Sequence, residues 1–193
     1  MSASPASVPG VGHLGTAVAA ADERIDALLE RVRGNPVTDA VFTTASHVGD
    51  FSLVWHAVGV ARALAGGRRE RRQALALSAL LGAESLLVNQ GLKRLFRRQR
   101  PTASGDERFT VRMPSTTSFP SGHASSAAFA ATVLSTWSPR RAPLFAAVAV
   151  IVGTSRAYVR IHHASDVAGG AVVGLCLGAL ARPLVKRLAA ERE

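Results

Sequence analysis

The sequence has few of the residues that stabilise secreted proteins or bind nucleic-acid bases. Its one cysteine, Cys176, lies in an apolar run, so an intramolecular disulfide cannot form. Aromatic residues make up 5% of the chain, with a single Tyr, which disfavours the stacking platforms that bind single-stranded nucleic acid. The first 20 residues contain no positively charged segment followed by a compact apolar core, so they are not predicted to be a signal peptide.

Apolar residues and positive charge are what the sequence has in excess. Hydrophobic residues make up 48% of the 193 residues and the mean hydropathy is +0.19, values that are high for a soluble domain and usual for a small bundle in a bilayer. The formal charge is +10, from 23 basic and 13 acidic residues, which suits anionic lipid headgroups, a phosphorylated substrate or nucleic acid. The length fits one domain.

The N-terminal part is predicted to lie outside the main bundle. Residues 1–18, rich in Ser, Pro, Gly and Ala, are predicted to be a flexible tail. Residues 19–48 are predicted to be an amphipathic, interfacial helical segment, with a helix over 19–33 that a Gly-Asn-Pro sequence ends. Its apolar residues share one face and its charged residues the other. Because it is too polar to span a bilayer, it is expected in the membrane interface or across the bundle.

Five apolar stretches follow and are predicted to be the helices of one bundle. They are residues 51–65, 74–92, 123–137, 142–154 and 167–181. Most are shorter than the ~20 apolar residues of a full span, so flanking residues must extend them. Their small residues suit close helix packing in lipid.

This pattern predicts an all-α, multi-pass transmembrane helical bundle of about five spans. The bundle would occupy residues 49–183, and residues 184–193 would form a basic C-terminal tail. No alternating strand pattern and no second domain are visible. The alternative is that the five stretches are core helices of a soluble all-α protein.

The basic connectors predict which helix ends lie together. In a five-span chain, residues 66–72, residues 138–141 and the segment after residue 181 fall on one side and hold ten Lys and Arg residues, while the other side holds nine. If three of those nine residues belong to the active site, six remain to compare with the ten on the first side. The positive-inside rule then places the first side in the cytoplasm. The protein is therefore predicted to lie in the cell membrane with its active site outside the cytoplasm.

Three short clusters hold the residues with catalytic chemistry. Written as strings they are K-x6-R-P from Lys93, P-S-G-H from Pro120 and S-R-x5-H-x3-D from Ser155. Each cluster lies at one end of an apolar stretch, on the side opposite the basic connectors. The pattern predicts a polar phosphate site at the mouth of an apolar bundle.

The P-S-G-H cluster has the residues of an anion site at the start of a helix. Ser121 can cap the helix, Gly122 lets the backbone approach a ligand, and the first N–H groups of the helix attract anions. His123 can transfer protons near neutral pH. Taken alone, the four residues fit an ordinary helix cap equally well.

The third cluster pairs a histidine with a carboxylate. His162 and Asp166 are four residues apart and share a face if they lie on one helical turn, so the carboxylate could orient the ring. His163, three residues from Asp166, also allows contact, and a surface His–Asp pair is the alternative. Arg156 can bind phosphoryl oxygens through two N–H groups.

The first cluster supplies positive charge. Lys93 ends the second apolar stretch, and Arg100 precedes Pro101, which takes the chain out of helix. Both could neutralise a transferring phosphoryl group. A basic turn that touches lipid headgroups would have the same composition, since residues 94, 97 and 98 are also Arg.

The segments KRLFRRQRP, PSGH and SRAYVRIHHASD together resemble the signature of the type 2 phosphatidic acid phosphatase (PAP2) family of integral-membrane lipid phosphatases. The resemblance covers roughly residues 49–183. It implies a helical bundle of the kind shared with vanadium haloperoxidases, and hydrolysis of a lipid phosphomonoester or diphosphate, either a polyprenyl diphosphate or a phosphatidate-type lipid. It also implies that no metal or other cofactor is used, and the sequence has no carboxylate cluster with metal-ligand spacing.

The resemblance further implies a role for each site residue. His162 attacks phosphorus and becomes phosphohistidine, Asp166 holds its ring, and His123 protonates the leaving oxygen. Five residues are implied to hold the phosphoryl oxygens: Lys93, Arg100, Ser121, Gly122 and Arg156. The expected partners are a lipid phosphate and the bilayer, not nucleic acid; the sequence does not specify the oligomeric state. Two alternatives are a vanadium-haloperoxidase-like enzyme and a non-catalytic basic membrane protein.

Some charged residues have no role in this motif. They are Arg160, the run Arg94, Arg97 and Arg98, and Glu84 within the second stretch. A second phosphate or a lipid headgroup would suit the arginines. Glu84 is expected to make a polar contact inside the bundle, to His56 or Arg62, because an ionisable group is costly in an apolar span.

Overall fold

The computed structural model describes residues 14–102 and 106–190, and over these ranges the chain forms helices and loops without a strand. Seven α-helices follow one another: α1 (Thr16–Glu30), α2 (Pro36–Gly49), α3 (Leu53–Ala65), α4 (Arg68–Leu86), α5 (Gly122–Trp137), α6 (Ala142–Tyr158) and α7 (Ala164–Ala190). A π turn, Leu87–Gly91, and a 3-10 turn, Leu92–Leu95, extend α4. The expected all-helical class is confirmed for the described residues.

The five predicted stretches correspond to α3 through α7, but the N-terminal segment differs from expectation. Two helices, α1 and α2, replace one, with a turn between them in which Gly34 has a φ of 84°. The Asn35 side chain accepts a hydrogen bond from the Val37 N–H at 2.9 Å, and Pro36 stands at the first helical position. These residues were predicted to end one helix, and the structure shows that they also start the next one.

Two boundaries also differ at the chain ends. Helix α1 begins at Thr16, within the predicted tail 1–18, of which residues 1–13 lie outside the described residues. Helix α7 continues to Ala190, through most of the predicted basic tail 184–193. Lys186 and Arg187 of that tail therefore lie in a helix, and residues 191–193 lie outside the described residues.

Helix α5 occupies the centre of the bundle and packs against α4, α6 and α7. Its residues from Ala124 to Ala131 are all buried. Most of them are Ala or Ser, so neighbouring helices can approach the α5 backbone closely. Larger side chains on other helices, such as Trp55 on α3 and Leu77 on α4, complete the core around it.

Glycines on α7 make the closest of these contacts. Gly170, Gly174 and Gly178 are four residues apart and share one face of the helix. A Cβ atom added to Gly174 would lie 2.1 Å from the Ser125 carbonyl oxygen, and one added to Gly170 would lie 2.3 Å from that of Ser121. The predicted close packing through small residues is confirmed for α5 and α7.

Apolar side chains cover much of the outer surface of the bundle. Leu64, Leu75, Leu180 and Val150 are each at least 66% exposed. Two helical segments, Arg68–Leu95 and Ala164–Leu188, are long and apolar enough to cross a membrane. An outer surface of this kind suits contact with lipid chains.

The helix ends separate into two groups. At one end, Arg62 donates from Nη1 to the Ser138 hydroxyl at 2.6 Å, and Trp137 donates from Nε1 to the Val185 carbonyl at 2.9 Å. These bonds bring the α3–α4 connector, the α5–α6 connector and the end of α7 together. The three sequence clusters lie at the other end, which we call the catalytic end.

Helix α1 packs against the catalytic end. It buries its acidic face there, although an amphipathic helix on a protein core usually buries its apolar face. Asp22 is 6% exposed, whereas Ile25 and Leu28 on the apolar face are 41% and 55% exposed. Arginines of the catalytic end contact the acidic face. Of the apolar residues, Leu29 alone packs into a small cluster around Phe109 and Tyr158.

Candidate active site

The three clusters of the sequence meet at the catalytic end. His123 and His162 line one cavity of about 470 Å³, and Lys93 and Gly122 line it with them. The π and 3-10 turns after α4 place Lys93, the start of α5 places His123, and the loop between α6 and α7 places His162. Residues that are up to 69 positions apart in the chain therefore share one wall.

His162 lies in the loop before α7 and is 2% exposed. The expected arrangement of His162 and Asp166 on one helical turn is wrong, because α7 begins at Ala164, after the histidine. The Nε2 atom of His162 is 3.1 Å from Nη1 of Arg100, which also donates to the Ile161 carbonyl at 2.7 Å. Arg100 thereby holds both the backbone and the ring of the loop.

Asp166 is fully buried, and each of its oxygens has a donor. Oδ2 accepts from the Ser118 hydroxyl at 2.5 Å and from the His163 backbone N–H at 2.8 Å, while Oδ1 accepts from Arg98 at 2.5 Å. Nδ1 of His162 lies 3.6 Å from Oδ2, which is beyond hydrogen-bond distance, and 3.5 Å from the Ser118 oxygen. Ser118, which was not predicted, therefore stands between the ring and the carboxylate.

The structure distinguishes the two adjacent histidines. His162 lines the cavity that contains His123 as well as a second cavity of about 300 Å³ beside α1, whereas His163 lines the second cavity and not the first. Its hydrogen bonds with Asp166 come from the backbone: the His163 N–H donates to Oδ2 at 2.8 Å, and the His163 carbonyl accepts from the Asp166 N–H at 3.1 Å. The geometry therefore selects His162 as the candidate nucleophile.

Burial of His162 lowers its pKa to about 3, and the charges of Arg100 and Lys93 act in the same direction, while Asp166 opposes them. The imidazole is consequently neutral at neutral pH. A neutral ring with Nδ1 turned toward Asp166 has its lone pair on Nε2, which accepts from Arg100 at 3.1 Å in this structure and must exchange that contact for phosphorus during attack. This is the protonation state that a nucleophilic attack requires.

Two guanidinium groups have buried N–H donors without acceptors among the described residues. Nε and Nη2 of Arg156 and Nε of Arg100 are fully buried and make no hydrogen bond there. Arg156 is 1% exposed and uses Nη1 to donate to the Ser46 hydroxyl. Because a buried unpaired donor is unfavourable, an anion with several oxygens is the ligand that these groups fit.

Lys93 adds a third positive group. It is 4% exposed, and its Nζ donates to the Thr116 hydroxyl at 3.1 Å. Arg100 donates from Nη2 to the Thr116 carbonyl at 2.9 Å, so one residue links both cations. These contacts place Lys93 and Arg100 beside His162, while Arg156 lies beside Ser46, whose carbonyl contacts His123.

His123 contacts two residues that lie outside the three sequence clusters. Its Nε2 is 3.2 Å from the Ser46 carbonyl and 3.2 Å from Oδ1 of Asp50. Burial would raise the pKa of Asp50, but the hydrogen bond with His123 and nearby positive charges lower it overall. Asp50 is thus a carboxylate that holds the His123 ring at the end of α2.

Ser121 and Gly122 have mainly backbone roles. The predicted cap is confirmed, because the Ser121 hydroxyl accepts from the Ala124 N–H at 3.4 Å. The Ser121 N–H donates to the Asp166 carbonyl at 2.9 Å, so this N–H is already engaged. A Cβ atom added to Gly122 would lie 3.0 Å from Oδ1 of Asn89, which leaves little room for a larger residue.

Within residues 14–102 and 106–190, no group of three or more His, Cys, Asp or Glu side chains is arranged to hold a metal ion. The donor set of the cavity is cationic. Positively charged donors of this kind can bind the oxygens of a phosphoryl group directly.

Comparison with known proteins decides the family. The sequence profile described as the PAP2 superfamily matches residues 73–189, more than half of the chain. The chain belongs to the PAP2 superfamily. It is accordingly a PAP2-type phosphatase, a hydrolase of lipid phosphate esters.

Two curated relatives and one solved structure agree with this family. The chain is 33% identical over 135 residues to decaprenylphosphoryl-5-phosphoribose phosphatase of Mycobacterium tuberculosis, which covers 70% of this chain and 73% of the relative. It is 30% identical over 172 residues to phosphatidylglycerophosphatase B of Bacillus subtilis, with coverage of 83% and 81%.

The solved structure is described as the first transmembrane PAP2 type phosphatidylglycerolphosphate phosphatase, from Bacillus subtilis. It superposes with a TM-score of 0.67 at 27% identity and covers 92% of this chain and 90% of that one. The fold described above is therefore that of a PAP2 membrane phosphatase.

Among the charged residues that the PAP2 signature left without a role, Arg94, Arg98 and Arg160 make contacts within the chain. Arg98 is 8% exposed and joins Asp166 to Asp22 of α1, and Arg160 pairs with Asp26 of α1 at 2.6 Å. Arg94 donates to Gln90 at 2.8 Å. Arg98 and Arg160 thus bind carboxylates of this chain instead of facing a headgroup.

Glu84 does not contact either residue expected for it. Its Oε1 accepts from the Ser125 hydroxyl on α5, while His56 contacts Ser78 and Arg62 contacts Gln73 and Ser138. Glu84 is 4% exposed and lies on the wall of the PAP2 cavity.

Proposed function

We propose that this PAP2-type enzyme is a membrane phosphatase that removes a terminal phosphate from a lipid through a phosphohistidine on His162. The observation that carries the proposal is that His123, His162 and Lys93 line one cavity. Arg100 lies 3.1 Å from the His162 ring, and buried Arg156 bonds Ser46, whose carbonyl contacts His123. Unpaired N–H groups of Arg100 and Arg156 support a phosphoryl group as the ligand.

In the first step, Nε2 of His162 attacks phosphorus and a P–N bond forms. The bond between phosphorus and the ester oxygen breaks, and His123, as an imidazolium whose Nε2 is held by Asp50, gives its Nδ1 proton to that oxygen and becomes neutral. Lys93, Arg100 and Arg156 stabilise the charge on the equatorial oxygens as it develops. Asp166, through Ser118 and its own charge, favours the positive ring that forms on His162.

In the second step, water attacks the phosphohistidine. His123, now neutral, takes a proton from the water, and Asp50 stabilises the resulting imidazolium at 3.2 Å. The P–N bond breaks, inorganic phosphate leaves, and His162 returns to its neutral state. The fixed cations supply the charge stabilisation that a magnesium ion supplies in other phosphoryl transfers.

The cavity wall favours a leaving group that carries hydroxyl groups. Beyond the phosphate-binding residues, the wall has hydroxyl, amide and carboxyl groups: Ser52, Ser78, Glu84, Ser85, Asn89 and Gln90. A carboxyl group bonds hydroxyls in either ionisation state. Arg112, at 4.8 Å over the Phe51 ring, adds a cation suited to a phosphodiester. A phosphoglycerol or phosphosugar lipid fits this wall better than phosphatidate or a polyprenyl diphosphate does.

We further propose that the bundle spans the membrane five times, with the catalytic end outside the cytoplasm. The grouping of the basic connectors at the opposite end supports this topology. In a Cys176→Ala background, Glu107→Cys should react with a membrane-impermeant maleimide in intact cells and Arg140→Cys should not. The reverse labelling would contradict this orientation.

The function is tested by phosphate release from the purified protein in detergent. Phosphatidylglycerophosphate, phosphatidate and a polyprenyl diphosphate are compared, and we expect the first to have a kcat/KM at least about tenfold higher, since a lost hydrogen-bonding partner costs roughly that much. Vanadate should inhibit, because it mimics the five-coordinate transition state.

Variants assign the roles. His162→Ala should abolish turnover while the adjacent His163→Ala, its matched control, keeps it. Asp166→Asn should lower kcat by orders of magnitude with KM nearly unchanged. Wild-type turnover by His162→Ala would refute the phosphohistidine. Halide oxidation with bound vanadate and no phosphate release would favour the haloperoxidase alternative.

A further inference from the structure

Asp22 of α1 is joined to the candidate catalytic aspartate through one buried side chain. The Arg98 guanidinium donates from Nη2 to Oδ2 of Asp22 at 2.6 Å and from Nη1 to Oδ1 of Asp166 at 2.5 Å. All three side chains are nearly buried, at 6% for Asp22, 8% for Arg98 and 0% for Asp166. A helix 144 positions away in the sequence thereby reaches the His162–Asp166 pair.

Ser165 strengthens this link. Its backbone N–H donates to Oδ1 of Asp22 at 2.8 Å and its hydroxyl donates to Oδ2 at 2.7 Å, while Arg98 donates to the same hydroxyl at 2.7 Å. Asp22 therefore binds both Arg98 and the first turn of α7, directly beside Asp166. A buried carboxylate with three donors is fixed in position more firmly than a surface ion pair.

We propose that Asp22 is a positioning residue for catalysis. It holds Arg98 and the start of α7, Arg98 fixes Oδ1 of Asp166, and Asp166 with Ser118 orients His162. This inference rests on the proposed function, in which Asp166 orients the nucleophile. Without Asp22, the Arg98 side chain loses one of its two carboxylates and gains freedom to turn away from Asp166.

The same helix offers a matched control. Asp26 lies one turn after Asp22 and pairs with Arg33 and Arg160, each at 2.6 Å, but touches neither Arg98 nor α7 in the described structure. A substitution at Asp26 weakens the docking of α1 without altering the donors of Asp166. Comparing the two positions separates positioning of the active site from simple attachment of the helix.

The test measures kcat and KM of Asp22→Asn and Asp26→Asn for the lipid on which the wild type is most active. We expect Asp22→Asn to lower kcat by about tenfold or more, as loss of an outer-shell orienting partner does, with KM within about twofold. Asp26→Asn should keep kcat within about twofold. Ser165→Ala removes only the linking hydroxyl, and it should lower kcat by a smaller factor with KM again nearly unchanged. If Asp22→Asn does not fold, Ser165→Ala replaces it as the test variant.

A double-mutant cycle tests the path through Arg98. If Asp22 acts through this arginine, Asp22→Ala should have little further effect on kcat in an Arg98→Ala background. Full additivity, equal losses at Asp22 and Asp26, or an Asp22→Asn enzyme with wild-type kcat would each overturn the positioning role.

The two proposals fail in different ways. A wild type that releases no phosphate from any lipid would overturn the proposed function and this inference with it. An active wild type that His162→Ala inactivates, together with an unaffected Asp22→Asn, would overturn the inference alone.

Discussion

Arg156 offers the most direct test of the phosphate site, through the substitution Arg156→Lys. The lysine keeps the positive charge, so the buried site loses donors without losing its charge. Arg156 has two buried nitrogens, Nε and Nη2, with no acceptor among the described residues, and a single ammonium group cannot place donors at both positions.

The size of the effect follows from these two donors. A hydrogen bond to a charged group contributes about 1.5–3 kcal/mol. If lysine recovers one of two bonds to the phosphoryl oxygens, the transition state loses about 1.5–3 kcal/mol, and kcat/KM should fall by about 10- to 150-fold. The inhibition constant for vanadate should rise by a similar factor, because vanadate occupies the same oxygen positions.

The assay is phosphate release from the preferred lipid in detergent, with vanadate inhibition measured in parallel. Arg160→Lys is the matched control, because Arg160 lies in the same sequence cluster but pairs with Asp26 at 2.6 Å. Its kcat/KM should stay within about twofold of wild type, as for a partly exposed ion pair. An Arg156→Lys enzyme with kcat/KM within about threefold of wild type would refute the assignment of these donors to the phosphoryl group.

Three further predictions concern stability and conditions. Gly174→Ala places a Cβ 2.1 Å from the Ser125 carbonyl oxygen and should lower the free energy of unfolding by about 1–3 kcal/mol. Gly82→Ala, whose Cβ would have no atom within 4 Å, should not lower it. Thermal unfolding in detergent compares the two variants. Because the pKa of His162 is lowered to about 3, the unfolded chain binds a proton there that the folded chain does not, so stability falls as pH falls from about 6.5 toward 3. His162→Gln should weaken this pH dependence, and an unchanged slope would contradict it. Dialysis against EDTA should leave phosphate release unchanged, because Lys93, Arg100 and Arg156 provide the charge; loss of activity that magnesium restores would contradict this.

Much of the site could be predicted because its chemistry limits which residues can serve. The spacing of Lys93 and Arg100, the P-S-G-H turn and the spacing of His162 and Asp166 are features of the local sequence, although His162 lies before α7 and not on the helical turn expected for it. The structure brings His123 and His162 onto one cavity, with Arg100 at 3.1 Å from His162. Ser118 was not predictable, because the loop that carries it has neither helical nor strand periodicity.

Other contacts depend on packing between distant segments. Ser46 lies on α2, a helix that the sequence argument did not separate from α1, and it contacts both Arg156 and His123. The basic residues near position 98 look alike in composition, yet Arg98 is 8% exposed between two carboxylates while Arg94 is exposed. Only three-dimensional proximity tells these arginines apart.

By itself, the sequence determined the helical class, the apolar stretches and the identities of the groups that meet at the catalytic end, since periodicity and chemical type are local properties. The tertiary structure alone decided which face of α1 turns inward. In a soluble protein the apolar face would be buried, but here Asp22 is 6% exposed and Leu28 is 55% exposed. The physical reason is that the catalytic end presents arginines that need acidic partners, and a lipid phase offers apolar side chains a favourable exterior.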